Sequence, residues 1–441
     1  MKDNFDLSSD AVKNALAVVK EDFNLGKHLR ATTSRSWWHY NGKYWELLIE
    51  PQIKKVLFEV FKENYPNYKE LATRAAKLGI EYLELELMGP DFQEFSGEGT
   101  SIINCSNCEL WLNKDGTYAQ KKHSEMSNLR YVLSVDYIPS AKAPAFAHTL
   151  KEIFSECDQP EEVIRHLEEV LAYIISSRRN IPIIIMFIGK GSNGKTRLSQ
   201  TLMQLLDENS VLSTNLQTLV GDSFFEANLP GKCLLLDDDL DADSLLPDGK
   251  LKKISEAKKI TARHPHGTSF SFVSKAVPLL IANHLPKTKD LSEGLRRRMH
   301  IFRFDRVFKG ADKNEELFPE IWKEELPGIL NILLEAYKRL VERGDFLLPK
   351  EMVENVDAWL AEANVVPAFL ENACETAPDL TIKGTDLYYN FKIWAKECGY
   401  RSLPNRHELY AQIEKLGFKK TKPQNAVTFH GLGVTLGQDG A

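Results

Sequence analysis

Between residues 181 and 308, short unbroken apolar runs alternate with amphipathic stretches. The first run is Ile183-Ile184-Ile185-Met186-Phe187-Ile188, and Leu198, Leu202, Leu205 and Leu206 follow it on one helical face. Later runs are Cys233-Leu234-Leu235-Leu236, Pro278-Leu279-Leu280-Ile281-Ala282 and the strand-like 301–304. Runs of this length, separated by helical periodicity, predict an α/β fold with a mainly parallel sheet. Before this segment, residues 52–62 and 68–78 carry helical periodicity. Trp37-Trp38-His39-Tyr40, Asn41-Gly42 and Lys43-Tyr44-Trp45 predict an aromatic hairpin on a type I′ turn. Residues 146–177 predict a helical collar, residues 314–343 return to helix, and a connecting helix is expected over 348–363. Beyond residue 365 the pattern predicts helices over 367–374, 385–398 and 405–416, with β-rich residues at Phe418 and 427–429. Three short helices and a terminal hairpin are the order of a winged-helix domain. The expected organisation is therefore an N-terminal domain (1–145), a helical collar (146–180), an α/β core (181–345) and a connecting helix with a winged-helix-like DNA-binding domain (346–441).

A formal charge of −6 argues against non-specific coating of nucleic acid, so any such contact must come from local basic patches. The six cysteines are scattered and read as reduced thiols of a cytoplasmic protein. No stretch approaches the roughly eighteen apolar residues of a membrane span. The first residues lack the apolar centre of a signal peptide.

The first apolar run empties into Gly189-Lys190-Gly191-Ser192-Asn193-Gly194-Lys195-Thr196, which is G-x-x-x-x-G-K-T between a strand and a helix. Glycines let such a loop fold into a nest of N–H groups that cradle phosphate, and Ser192 and Asn193 lie within it. Lys195 is placed to reach the β- and γ-phosphates of ATP, and the Thr196 hydroxyl to hold Mg²⁺. The second run ends in Asp237-Asp238-Asp239. One carboxylate opposite the phosphates supports the metal and a neighbour orients the attacking water. Asp237 is assigned to the metal and Asp238 to the water, with Asp239 competing for the second task.

The run 278–282 ends in Asn283, an amide placed to hydrogen-bond the γ-phosphate or the water. Gly294-Leu295-Arg296-Arg297-Arg298-Met299 follows, and either Arg297 or Arg298 is a candidate to stabilise phosphoryl charge in a neighbouring subunit's site. Between the acids and Asn283 the charge inverts. Lys250, Lys252, Lys253, Lys258, Lys259 and Arg263 crowd against a single acid, Glu256. His264-Pro265-His266-Gly267 is expected to turn between strands 260–263 and 269–272. A basic hairpin of this kind suits a phosphate backbone, and Lys252, Lys258, Lys259, Arg263, His264 and His266 are its candidate DNA contacts.

This order of motifs resembles superfamily 3 helicases of the phage/plasmid primase-helicase type, the class that includes satellite-phage and poxvirus replicative helicases. GKGSNGKT resembles the family's Walker A, LLLDDD its Walker B, and residues 252–267 its B′ motif. PLLIANHLP resembles motif C and GLRRRMHIFRFDR the arginine-finger segment. Residues 23–30, the Trp-rich hairpin, 102–104 and 135–139 resemble the poxvirus-type helical N-terminal domain. The resemblance implies an AAA+ P-loop core, ATP and Mg²⁺, a hexameric ring, and 3′→5′ travel on single-stranded or forked DNA in a host cell's cytoplasm. Many relatives carry Gly-Asp where this chain has Ala257-Lys258. No carboxylate cluster of a primase is visible upstream, so a separate primase or polymerase is the expected partner.

Cys105-x-x-Cys108 with His123 lacks the second ligand pair of a structural zinc site. Trp37, Trp38, Tyr40, Tyr44 and Trp45 are expected in a small core rather than stacked on bases. Competing functions are an origin-binding initiator ATPase and a translocase or defence ATPase without processive unwinding.

Overall fold

The apolar runs of the middle segment build a five-stranded sheet: β1 (Ile184–Ile188), β2 (Val211–Ser213), β3 (Leu234–Leu240), β4 (Val277–Ala282) and β5 (Met299–Arg303). Its order is β5-β1-β4-β3-β2 and every pairing is parallel. β1 and β4 are buried throughout, which is why both read as continuous apolar runs instead of alternating ones. Parallel neighbours need crossovers, and these carry helix α1 (Lys195–Leu205) after β1 and helix α2 (Asp248–Ser255) after β3. An antiparallel hairpin of Lys259–Arg263 with Ser269–Val273 is inserted before β4. The structure, a computed structural model, describes residues 7–32, 36–48, 50–64, 69–89, 101–113, 115–222, 224–241, 244–263, 269–363, 365–398, 403–422 and 426–435. These fall into two compact units, 1–285 with 298–353, and 286–297 with 354–441.

In the first unit one apolar cluster joins the sheet to the collar helices Pro144–Ile153 and Pro160–Ile175 and to the helix Leu326–Arg343. Each collar helix begins on proline, whose missing N–H costs nothing in a first turn. The Glu325 carboxylate caps the first of them by accepting from the Ala145 and Phe146 N–H groups at 3.0 and 2.8 Å. The same cluster takes in the three-stranded sheet of Ser101–Asn104, Glu109–Leu112 and Tyr118–Lys121. Residues 15–83 bury a separate cluster of their own.

That N-terminal cluster backs the aromatic hairpin, Trp37–Tyr40 with Trp45–Leu48. The type I′ turn is not formed. Tyr40 pairs with Trp45, so the loop holds four residues, and the Asn41 side chain accepts from the Lys43 and Tyr44 N–H groups instead. This Asx turn exploits the short amide of Asn41. Trp37, Trp38, Tyr40, Tyr44 and Trp45 are all interior. Arg30 lies 4.1 Å above the Trp45 ring, and Arg130 the same distance above Trp38, so these faces meet cations rather than bases.

The second unit has its own core around Phe369, Phe391, Leu409 and Phe429. Helices Val365–Ala373, Gly384–Glu397 and Arg406–Lys415 pack with an antiparallel sheet in which Thr428–His430 lies between Thr381–Lys383 and Lys419–Thr421. The last helix opens with a capping box between Asn405 and Glu408.

Two buried histidines tie the second collar helix to the sheet. His166 Nε2 and His300 Nδ1 are 3.0 Å apart, with Phe302 and Phe346 against the His166 ring. Burial lowers the pKa of His166 well below its ordinary value and that of His300 to about 3. The folded state therefore binds these protons later than the unfolded chain does, and stability is present above about pH 6.5 and lost as pH falls towards 3. Replacing both histidines with leucine should flatten the fall in thermal midpoint between pH 7 and pH 5. An unchanged slope would assign acid sensitivity to other groups.

Candidate functional site

β1 ends at Ile188 against the bulk of the sheet, and the chain must then turn within six residues into α1. Gly191, Ser192 and Gly194 all take positive φ (86°, 48° and 92°), which turns successive N–H groups inward as a nest. A Cβ on Gly189 would run into the Phe304 carbonyl oxygen, and one on Gly194 would sit 2.8 Å from Ile153. Glycine is required at both places by packing, apart from any ligand. The buried Asn193 amide donates to the Phe304 carbonyl at 2.8 Å, and the Phe308 N–H donates to Ser192 at 2.8 Å. The loop is thus held against the segment that leaves β5. Lys195 is only 5 % exposed; its ammonium donates to the Gly189 carbonyl and to Asn193 Oδ1 at 3.2 Å. Burial lowers its pKa.

These residues open onto a cleft of about 450 Å³ at the carboxyl ends of β1, β3 and β4. Gly191, Ser192, Asn193, Gly194, Lys195 and Thr196 line one side, and Asp238, Asp239 and Asn283 the other. Open α/β sheets bind ligands in this position. Thr196 is exposed in the cleft, so its hydroxyl and two carboxylates share one space. Such hard oxygen donors suit Mg²⁺.

Asp237 differs from the expectation. It is 3 % exposed and does not line the cleft; its carboxylate accepts from the Leu216 N–H at 2.7 Å and the Asp239 N–H at 3.4 Å. Burial raises its pKa against those two bonds. The cause is a register shift in β3 between Asp237 and Leu240, which turns both Asp238 and Asp239 outward. Gly189 also stays outside the lining and supplies its carbonyl to Lys195.

The three arginines separate. Arg296 makes a two-pronged contact with Asp357 at 2.6 and 2.8 Å. Arg298 is 4 % exposed and ion-paired with Glu256. Arg297 is exposed, and its guanidinium has no partner among the described residues. Neither Arg297 nor Arg298 lines the cleft of its own chain.

Along the basic hairpin the burial alternates. Lys259, Thr261 and Arg263 face outward, and Ile260 and Ala262 face in. Thr261 and Ser271 are cross-strand partners, with their hydroxyls 3.2 Å apart, and share the outward face with the exposed Val273 opposite Lys259. Arg263 stands 5.3 Å from the Phe224 ring centre. Lys258 pairs with Glu256, and Lys252 belongs to α2. His264 and His266 lie outside the described residues.

Sequence reasoning missed the far wall of the cleft. Arg197 follows Thr196 directly and was within reach of a reader, since it occupies the first turn of α1. Thr149, Glu152 and Ile153 come from the collar and Phe308 and Phe318 from beyond β5; no local pattern marks them. His123, the third member of the discarded zinc set, donates its ring N–H to the Cys105 carbonyl at 2.9 Å.

Residues 187–298 match a family profile described as "Family of unknown function (DUF5906)". Over 314 residues the chain is 22 % identical to "Putative helicase" of Acanthamoeba polyphaga mimivirus, an alignment covering 64 % of this chain and 32 % of that one. The chain thus spans about a third of the length of the curated relative it matches. The apo structure of the NrS-1 C-terminal region superposes with a TM-score of 0.51 at 11 % identity, covering 96 % of this chain and 100 % of that one. An A form apo structure of the same region gives 0.49 at 11 % identity, over 95 % and 99 %. The likeness to the former is one of fold.

Ala257, between α2 and the hairpin, holds φ of +48°. A left-handed alanine costs roughly 1–2 kcal/mol, part of which glycine's greater chain entropy takes back. Ala257→Gly should therefore raise stability by up to about 1 kcal/mol, read as a higher thermal midpoint. A lower midpoint would mean that this turn is not under strain.

Proposed function

We propose that this chain is an ATP-driven DNA helicase of replicative type, working as a ring of identical subunits. The observation that carries the reading is the cleft in which Lys195, Thr196, Asp238, Asp239 and Asn283 converge at the carboxyl edge of the parallel sheet. The family resemblance of these motifs and the helicase name of the mimivirus relative support the choice among P-loop machines.

In this reading the nest and Lys195 hold the triphosphate by charge and N–H groups fixed before it arrives. Fixed dipoles of this kind are what phosphoryl transfer rewards, since little else is asked of the protein. Thr196 and Asp238 hold Mg²⁺, which when bound neutralises charge on the β- and γ-phosphates. Asp239 and Asn283 orient water for in-line attack on the γ-phosphorus. The new P–O bond forms as the bond to the β-phosphate oxygen breaks, and a carboxylate takes the proton. Asp237 leaves this scheme and becomes a support for the strand tip. Arg297 is the finger for the neighbouring subunit, because its two flanking arginines are committed to Asp357 and Glu256.

The outward face of the hairpin, with Lys259 and Arg263 beside Thr261 and Ser271, is the proposed contact for single-stranded or forked DNA, and His264 and His266 are proposed to share in it. The part of the second unit beyond residue 365, where three helices pack with a three-stranded antiparallel sheet, is proposed as a winged helix. Lys419, Lys420 and Lys422 at its edge favour a duplex contact there, which is the origin-binding alternative. Travel from 3′ to 5′ and a separate primase follow from the family resemblance.

Lys195→Ala, Asp238→Asn and Asp239→Asn should each lower ATP turnover by about 10²-fold or more. Asp237→Asn should lower it far less, while reducing the thermal midpoint. Equal losses at all three aspartates would return Asp237 to the site.

Arg297→Ala should cost about 10³-fold in turnover, as a finger supplied in trans does elsewhere. Mixing it with Lys195→Ala protein should restore part of the activity, because one interface in the mixed ring is intact. No recovery in the mixture, or full activity of Arg297→Ala alone, would rule out a shared site.

A further inference from the structure

We infer that Glu256 is a positioning residue that couples the arginine segment and the nucleotide cleft to the basic hairpin. This inference rests on the helicase reading above. Glu256 is the C-terminal cap of α2, one residue before Ala257 and three before the hairpin strand Lys259–Arg263. One carboxylate oxygen accepts from Arg298 and the other from Lys258. Lys258 leads directly into the hairpin. Arg298 leads directly into β5, and its carbonyl accepts from the Ile184 N–H at 2.7 Å. Ile184 opens β1, the strand that ends in the phosphate loop. A chain of contacts therefore runs from the loop strand through Arg298 and Glu256 to the root of the hairpin, and Arg297 is the residue next to Arg298.

Chemistry makes this a joint rather than a casual surface pair. An exposed ion pair contributes little, but Arg298 is buried and its charge has to be matched. Glu256 is the only acid between residues 249 and 263, amid five lysines and an arginine. Both of its cationic partners hold its carboxyl below the usual range, the Lys258 hydrogen bond most strongly, so it stays charged at neutral pH. Its left-handed neighbour Ala257 fixes the direction in which the hairpin departs. If β5 and its arginines shift when a neighbour's nucleotide engages Arg297, Glu256 carries the shift to Lys258 and the hairpin. Coupling needs contiguous elements of this kind, and both ends must be biased by it.

The test compares wild type with Glu256→Gln and Glu256→Asp in the full chain. Glutamine keeps the size and removes the charge; aspartate keeps the charge but is too short to reach both cations. The readouts are ATPase rate without DNA, its stimulation by single-stranded DNA, and amide hydrogen exchange over 259–263 with and without a non-hydrolysable ATP analogue. The expected result is a basal rate close to wild type, a stimulation factor reduced about 5-fold or more, and loss of the nucleotide-dependent change in exchange. Glu256→Asp should move the same way by less. A merely structural role would lower the thermal midpoint while leaving both nucleotide-dependent readouts intact, and that outcome overturns the proposal. Should Glu256→Gln not melt cooperatively, Glu256→Asp carries the same comparisons. If wild-type turnover is not raised by DNA, the helicase reading falls, and the exchange comparison alone decides the coupling. Equal exchange changes in wild type and variant would then overturn it.

Discussion

The closeness of backbone to backbone around the phosphate loop governs the site. Gly189 lies where the Phe304 carbonyl and the Asn193 amide leave no room for a side chain, and Gly194 is pressed against Ile153 of the collar. The loop is therefore wedged between the exit of β5 and a helix that precedes the sheet by thirty residues and more. Asn193 and Phe308 close it with two hydrogen bonds between the loop and the segment that leaves β5. Because the wedge is made by distant segments, the nest has its shape before any phosphate reaches it. Preorganisation of this kind keeps the cost of arranging dipoles out of the reaction step. It also sets the far wall of the cleft, since the residues that grip the loop, Ile153 and Phe308, are the ones that line it.

What could be read from the sequence follows from how local each cause is. Four of the sheet's five strands were legible because strands buried on both faces must be apolar without interruption, as β1 and β4 are, whereas the short, partly exposed edge strand β2 carries no such run. Most helices of the collar and of residues 365–416 were legible for the complementary reason, a single buried stripe. The phosphate loop was legible because its glycines meet a steric demand. The acids were legible only as a group. Which of three consecutive aspartates faces a ligand depends on strand register, and the shift between Asp237 and Leu240 has no signature in residue type. The hairpin at 37–48 shows the same limit in miniature. Asn41-Gly42 signals a turn, yet the choice between a two-residue and a four-residue loop lay with the packing of Trp45 beneath Arg30.

Charge was the least legible property, because a run of like residues conceals different surroundings. Arg296, Arg297 and Arg298 are equivalent in composition and distinct in place. A buried guanidinium without a matched carboxylate is costly, so Arg298 demands Glu256, and Arg296 is fixed by the planar geometry that lets it grip Asp357 at two points. Neither can turn away without stranding its partner. The middle residue is the one whose departure disrupts nothing. Arg297 is thus the one of the three that stays exposed with no partner among the described residues.

A formal charge of −6 limits how any part of this chain could attract a polyanion. Overall attraction is absent, so the field must be local and short in range. At physiological salt charges are screened beyond about 8 Å, roughly the reach of two or three residues along a strand. Strand alternation places Lys259 and Arg263 on one face but about 13 Å apart, beyond that distance, so each acts as a separate local charge with the hydroxyls of Thr261 and Ser271 between them. Lys258, one residue earlier, is held to Glu256 and so is subtracted from this face. The outward charge of the hairpin is thereby smaller than its sequence suggests.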